Sequence, residues 1–152
     1  MSMKQLSMSQ SFHTDVAWAA GFLDGDGCVS ISKQQLPGRK NKTYRLWIRV
    51  SQTREATLKH FQEVLGLQSV ITVTGPNERQ NKQIFSLTYE GRHAIAALQR
   101  LSPYLVLTAS QAEAAIQFWH EGLMGTLPGP RGFEQEVWDK RDYWFNELRR
   151  LK

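Results

Sequence analysis

The strongest constraint on the fold is the strict alternation of apolar and polar residues from Tyr44 to Ser51. Side chains of a β-strand point alternately to the two faces of a sheet. One face of this segment carries Tyr44, Leu46, Ile48 and Val50, and the other carries Arg45, Trp47, Arg49 and Ser51. The pattern predicts a strand of an antiparallel sheet with one covered face and one open face.

Similar patterns predict the remaining elements. Further strands are predicted over 29–32, 69–74 and 83–89, and helices over 14–24, 55–65, 92–101, 110–122 and 134–151. The order α-β-β-α-β-β-α, followed by additional helices, predicts an α+β fold with a four-stranded antiparallel sheet and helices on one face. We expect residues 1–13 to form a flexible leader, 14–125 the main domain, and 126–152 a linker and C-terminal helix packed on that domain.

The composition restricts the binding partners. The chain of 152 residues carries 19 Lys and Arg against 14 Asp and Glu, a net charge of +5. Nucleic acid is the commonest partner of such a basic chain. The single cysteine, Cys28, cannot form an intrachain disulfide, and no Cys/His set has zinc spacing. No apolar run approaches the roughly 20 residues that cross a bilayer, and residues 1–13 lack the apolar core of a secretory signal. We therefore expect an intracellular protein with no membrane partner.

The polar face of the predicted sheet carries no Asp or Glu. It consists of Ser, Thr, Gln, Arg and one Trp, namely Ser30, Ser32, Gln34, Arg45, Trp47, Arg49, Thr72, Thr74, Ser86 and Thr88. Arginine reads guanine edges and phosphates, and the smaller polar side chains adapt to several bases. The basic segment 33–43, predicted to be a long exposed hairpin loop, adds predicted DNA contacts at Arg39, Lys40, Lys42 and Thr43. Lys82, before the fourth strand, is a further predicted contact.

An ordinary solvated face, in which Arg45 and Arg49 only provide solubility, is the alternative interpretation. Trp47 favours DNA binding, because an exposed tryptophan between two arginines is costly without a partner that covers it. A second subunit could provide that cover instead.

The segment Ala19–Gly27 combines small residues with two acids. A carboxylate at the end of a helix, beside a strand that binds DNA, supplies the hard oxygen that Mg²⁺ prefers, and glycines let the backbone approach closely. An ordinary acidic turn is the competing interpretation of residues 24–27. The small residues Ala17, Ala20 and Gly21 would allow close approach of a second helix, or burial in the chain's own core.

Residues 21–27, with the sequence GFLDGDG, resemble the LAGLIDADG signature of homing endonucleases, and the element order over about 15–117 resembles the fold of that family. The resemblance implies a metal-dependent homing endonuclease that hydrolyses both strands of a long, near-palindromic DNA target. Reading would occur in the major groove and cutting across the minor groove. The gene would lie in an organellar (chloroplast or mitochondrial), bacterial or phage genome.

The resemblance also implies roles for individual residues. Asp26 would bind Mg²⁺, for which Mn²⁺ could substitute, and the Gly25 carbonyl would add a second ligand. Gln52 would position water near the metal, and Arg54 would join the solvent network. For Gln52, a plain helix-start residue is an equally good interpretation.

The single copy of the motif implies a C2 homodimer, because one chain supplies one metal-binding acid and two strands must be cut. The predicted interface comprises Ala17, Ala20, Gly21 and Asp24, with Asp24 also supporting the helix end. Thr108 stands where the family usually carries a lysine that faces the active site. Because threonine carries no charge, two alternatives of the same fold stay open: an RNA-binding, maturase-like splicing protein and a DNA-binding protein that does not cleave.

Overall fold

Four antiparallel strands form one sheet in the computed structural model, which describes residues 2–152. The strands are β1 (Gly27–Gln34), β2 (Thr43–Gln52), β3 (Ile71–Thr74) and β4 (Ile84–Glu90), in the spatial order β1-β2-β4-β3. β1 and β2 form a hairpin whose register pairs Gly27 with Val50 and Gln34 with Thr43. The predicted four-stranded antiparallel sheet is confirmed, with β2 and β4 as its central strands.

Within residues 2–152, five α-helices accompany the sheet: α1 (Met3–Asp26), α2 (Glu55–Leu65), α3 (Gly91–Leu101), α4 (Ala109–Phe118) and α5 (Gln135–Arg150). A 3₁₀ turn, Ser102–Tyr104, precedes α4, and a π-helical turn, Trp119–Leu123, follows it. The order agrees with the prediction, although most bounds shift by a few residues. None of the helices in residues 2–152 is long and apolar enough to cross a membrane.

The hydrophobic core lies between the helices and one face of the sheet. In β2 the side chains of Tyr44, Leu46, Ile48 and Val50, which share one face, are at most 8% exposed. Helix α1 contributes a stripe with helical spacing: Val16, Ala19, Ala20 and Leu23. The residues of β2 that alternate with its four buried ones are exposed or half-buried, so the opposite face of the sheet is open, as the alternation predicts.

Helix α1 departs from the prediction at both ends. It begins at Met3, so residues 3–13 are helical, and the predicted flexible leader is wrong for them; Met1 lies outside the described residues. A capping box starts the helix: the Ser2 hydroxyl accepts from the Gln5 N–H at 3.2 Å, and the Ser2 N–H donates to Gln5 Oε1 at 2.9 Å.

The predicted helix end at Asp24 is also wrong, because α1 continues through Gly25 and ends at Asp26. Gly27 caps the helix by donating its N–H to the Leu23 carbonyl. A Cβ at Gly27 would lie 2.4 Å from Leu23 Cδ1 and 2.7 Å from Leu23 O. Glycine is therefore required where the chain leaves α1 and enters β1, directly after Asp26.

Candidate active site and DNA-binding surface

Asp26 and Gln52 meet at the edge where α1 and β2 end. Nε2 of Gln52 lies 3.4 Å from Oδ2 of Asp26. Oε1 of Gln52 accepts hydrogen bonds from the backbone N–H and the hydroxyl of Thr53, at 2.7 and 3.0 Å. These bonds orient the Gln52 amide so that its NH₂ group faces the exposed Asp26 carboxylate. Two residues that the sequence places 26 positions apart are thereby neighbours.

Gly25 and Arg54 lie close to this pair along the chain. Gly25 is in the last turn of α1, where backbone carbonyls have no donor within the helix. Its carbonyl is thus a second hard oxygen next to Asp26. Arg54 is exposed and precedes the first residue of α2. Its predicted part in a solvent network stays a prediction.

The donor set at this edge fits a hard divalent cation in part. Residues 2–152 contain no group of three or more His, Cys, Asp or Glu side chains that could hold a metal ion. Magnesium, however, commonly keeps several waters and uses one or two protein carboxylates together with substrate phosphates. The Asp26 carboxylate and the Gly25 carbonyl suit such an ion if its other ligands come from outside the chain.

Asp24, two residues earlier, has different surroundings. Its Oδ1 accepts from the N–H and the hydroxyl of Thr108, at 2.9 and 2.6 Å, and its Oδ2 accepts from the Val106 N–H at 2.8 Å. Partial burial raises the pKa of Asp24, but these hydrogen bonds outweigh it and hold the pKa below its usual value. Asp24 therefore ties the end of α1 to the segment before α4.

Thr108 takes part in this contact between α1 and the segment before α4. Its side chain is 7% exposed, and its hydroxyl donates to Asp24. No positive charge can come from this position, where the resemblance predicts a lysine. The neighbouring apolar side chains of Val106 and Leu107 are 78% and 74% exposed.

The small residues of α1 divide between two faces. Ala20 is fully buried in the core of this chain, which corrects its predicted place at a dimer interface. Ala17 and Gly21 are exposed. A Cβ added at Gly21 or Gly25 would meet nothing within 4 Å. The chain's own packing therefore requires a small residue at position 20 but not at positions 21 and 25.

The polar face of the sheet differs from its prediction in one respect, because it contains an acid. Strand β4 continues to Glu90, which is exposed and pairs with Trp47 on β2. The alternation of β4 puts Glu90 on the same face as Ser86 and Thr88. The expectation of an acid-free face is thus wrong at this end of the strand.

Side chains on this face are bonded to one another across three strands. Nε1 of Trp47 donates to the Ser32 hydroxyl on β1 at 2.7 Å, and Nε of Arg49 donates to the Thr88 hydroxyl on β4 at 2.9 Å. The Arg49 guanidinium carbon lies 4.9 Å from the centre of the Trp47 ring. We call Ser32, Trp47, Arg49 and Thr88 the polar lattice. Trp47 is half-buried as a result, so its exposure is less costly than the sequence suggests.

The other predicted DNA contacts lie at the surface around the sheet. Exposed positions are Gln34, Arg39, Lys40, Lys42, Arg45, Thr72, Thr74 and Lys82, and half-buried ones are Ser30, Thr43 and Ser86. The Ser86 hydroxyl is 2.8 Å from that of Ser51 on β2. All of these residues are at least partly exposed. Their contact with DNA stays a prediction.

Comparison with known proteins gives one consistent result. The model of the LAGLIDADG endonuclease family matches residues 19–112. The DNA endonuclease I-CvuI of Chlorella vulgaris is 30% identical over 110 residues, which span 70% of this chain and 66% of that protein.

Solved structures show the same fold. The homing endonuclease I-CvuI, in complex with a DNA target, superimposes with a TM-score of 0.72 at 23% identity, covering 93% of this chain and 84% of that one. The archaeal intron-encoded homing endonuclease I-Vdi141I, complexed with DNA, gives a TM-score of 0.69 at 12% identity, with coverage of 92% and 85%.

Proposed function

Because the chain belongs to the LAGLIDADG endonuclease family, we propose that it is a site-specific homing endonuclease that hydrolyses both strands of double-stranded DNA. The observation that carries the proposal is the position of the exposed Asp26 carboxylate. It lies beside Gln52, at the edge of a sheet face that bears Arg45 and Arg49. Relatives of this fold were solved with DNA bound, which supports DNA as the substrate.

The sheet would bind DNA through its open face. Its arginines and hydroxyl groups suit base edges in the major groove, and the basic loop between β1 and β2 suits phosphates. Strand β2 would contact DNA through its open-face side chains, and it ends at Gln52, beside the Asp26 carboxylate. DNA lying along the strand would then bring a phosphate to Asp26.

Hydrolysis would take place at the edge formed by Asp26 and Gln52. A Mg²⁺ ion held by the Asp26 carboxylate and the Gly25 carbonyl would lower the pKa of a bound water and neutralise charge on the phosphate. Gln52 would orient the attacking water through its amide, which the Thr53 contacts already hold in place. A crystal structure of I-CvuI with Mg²⁺ and uncleaved DNA is known, which supports a divalent metal in this setting.

The active form would be a homodimer joined along the outer face of α1. One chain offers one exposed acid at the site, whereas two strands must be cut. Glycine costs a helix about 1 kcal/mol relative to alanine, yet the chain's own packing does not require Gly21 or Gly25. Close approach of a second α1 explains both. The exposed Val106 and Leu107 would be covered by the same partner.

A pair of acid-to-amide variants tests the catalytic role. The substrate is a plasmid that carries the genomic sequence flanking the gene, incubated with Mg²⁺. Asp26→Asn should lower the cleavage rate roughly a thousandfold, because several kcal/mol of charge stabilisation by the metal is lost. Asp15→Asn, in the same helix, is the matched control and should cleave like the parent. Equal cleavage by Asp26→Asn would refute the proposal.

A protein that binds DNA without cutting it is the second candidate, favoured by the uncharged Thr108 in its joint with Asp24. The same plasmid assay separates the two, if it is accompanied by a binding measurement. Tight, site-selective binding with no product in Mg²⁺ or Mn²⁺ would identify the second candidate. Preference for intron RNA over DNA would instead indicate a splicing factor.

A further inference from the structure

We infer that Arg49 is the principal base-reading residue of the open sheet face, and that Trp47 and Thr88 position its guanidinium. The inference rests on the proposed function, because it names a specificity-determining residue for the DNA that the sheet would bind. The polar lattice holds the Arg49 guanidinium in one orientation.

Three strands contribute to that orientation. The Arg49 Nε–H donates to the Thr88 hydroxyl on β4 at 2.9 Å, directly across the β2–β4 register. The guanidinium lies against the Trp47 ring, 4.9 Å from its centre. Trp47 is in turn held by its indole N–H, which donates to Ser32 on β1 at 2.7 Å. The Arg49 guanidinium is thus held by a hydrogen bond at its Nε edge and by the Trp47 ring on its planar face. Such a side chain loses little conformational entropy when it binds a ligand.

The hydrogen bond to Thr88 also decides which atoms of Arg49 remain for DNA. Arginine has five N–H donors in a planar fork. With Nε committed to Thr88, the two terminal amino groups form the end of the fork. In the major groove, N7 and O6 of guanine are two adjacent acceptors that match a fork of this kind. Arg49 is therefore preorganised for a guanine edge.

Arg45 provides the contrast on the same strand. It is exposed, and within residues 2–152 its guanidinium has no bracing of the kind that Arg49 receives. A flexible cation suits a phosphate, which accepts hydrogen bonds from many directions. Arg49 lies three residues from Gln52, about 10 Å along the strand, and Arg45 lies about 24 Å from it. The two arginines would therefore act on different parts of each half-site.

The test measures base preference at every position of the target by binding selection from DNA with randomised half-sites. Arg49→Ala should lower the preference for guanine at one inner base pair of each half-site by roughly tenfold. Trp47→Leu and Thr88→Val should lower it at the same base pair, although neither side chain would touch the base. The conservative variants Trp47→Phe and Thr88→Ser should retain it, because they keep the ring and the hydroxyl.

Arg45→Ala is the comparison for a phosphate contact. It should reduce the slope of log affinity against log salt by about one and leave the guanine preference at the Arg49 position in place. Thermal unfolding of each variant shows whether the fold is retained, and Thr88→Val serves as the test if Trp47→Leu unfolds.

Two results would overturn the inference. An unchanged profile for Arg49→Ala would exclude Arg49 as the reader, and an unchanged profile for both Trp47→Leu and Thr88→Val would exclude their positioning role. Either result would leave the proposed endonuclease intact, because the parent chain would still select a site. A parent chain that selects no DNA sequence would overturn both proposals.

Discussion

Asp24 and Asp26 differ in exposure and in partners although they lie two residues apart in α1. The Asp26 carboxylate is exposed beside Gln52, whereas that of Asp24 accepts three hydrogen bonds from Val106 and Thr108. A helix turns by about 100° per residue, so the two side chains point in very different directions. The two acids of one motif thus have different surroundings: Asp24 joins α1 to the segment before α4, whereas Asp26 is exposed beside Gln52.

Replacing Asp24 by asparagine should destabilise the fold by about 2 kcal/mol, because an amide nitrogen would face a donor and charge-assisted hydrogen bonds would be lost. The hydrogen bonds lower the pKa of Asp24 in the folded chain. The stabilisation is therefore fully present above the unfolded pKa, about 4, and is lost as the pH falls through the folded pKa. Urea unfolding of parent and Asp24→Asn between pH 2 and 7 measures both effects.

The control for this experiment is Asp26→Asn. Asp26 is exposed, and Gln52 approaches it only at 3.4 Å, so its free energy of unfolding should match that of the parent within about 0.5 kcal/mol. A difference between parent and Asp24→Asn that stays constant down to pH 2 would contradict the proposed cause.

Single residues show where sequence reasoning stops. The signature is local, so Asp26 can be singled out from residues 21–27 alone. The contact between Asp24 and Thr108 spans 84 positions, and the polar lattice depends on the register of three strands. The sequence pattern ends strand β4 at Tyr89 and so leaves out Glu90, which the strand includes. Nothing in the one-dimensional pattern fixes these pairings, because they are set by how the elements pack.

Elements defined by burial were predicted best. Strand β2 alternates throughout and has almost the bounds that its pattern indicates. The first half of α1 lies at the other extreme, since nearly all its described side chains are exposed and leave no apolar stripe to detect. Only the Ser2 and Gln5 spacing of the capping box marks its start.

Helix α5 is joined to the sheet by a polar contact that the hydrophobic periodicity of the sequence does not predict. Asp142 lies 2.5 Å from Lys33 Nζ on β1 and accepts a hydrogen bond from the Tyr44 hydroxyl on β2. The hydrogen bond to Asp142 raises the pKa of Lys33. Partial burial raises the pKa of Asp142, but the bonds from Lys33 and Tyr44 outweigh it and lower the pKa overall.

We expect Asp142→Asn to lower the free energy of unfolding by about 1 kcal/mol, a value discounted because the Asp142 side chain is 46% exposed. The contribution of the lowered Asp142 pKa is lost as the pH falls below about 4, and that of the raised Lys33 pKa is lost as the pH rises above about 10. Thermal unfolding across this range should show a constant difference from the parent between those limits.

Glu136→Gln is the matched control in the same helix. Its ion pair with Lys140, at 3.2 Å, involves a side chain that is 77% exposed, and exposed pairs contribute little. Its unfolding should follow that of the parent at every pH. If both variants lose the same stability, the Asp142 contact is no more than a surface ion pair.

Two surfaces of the molecule carry residue types that packing within the chain does not require. One is the open face of the sheet, with its cross-strand lattice. The other is the outer face of α1, where Ala17 and Gly21 are exposed. Val106 and Leu107 are also exposed, and the Val106 N–H is bonded to Asp24 in the last turns of α1. The two surfaces converge near Asp26, since α1 ends there and β1 begins at the next residue. A two-fold pairing along α1 would bring two such acids together beneath one DNA duplex.

Gly21→Arg tests this arrangement because the single chain has room for a side chain at that position. The folded monomer should be retained, and helix propensity should even rise slightly. Dimerisation should weaken roughly a hundredfold, equivalent to about 3 kcal/mol, since a charged side chain would stand between closely packed helices. Analytical ultracentrifugation measures the dissociation constant, and Gln99→Arg, exposed on α3, controls for added charge and should dimerise normally. The loss should extend to cleavage, because a monomer would bring only one acid to two strands. A parent chain that is monomeric at all concentrations and still makes double-strand breaks would refute the pairing.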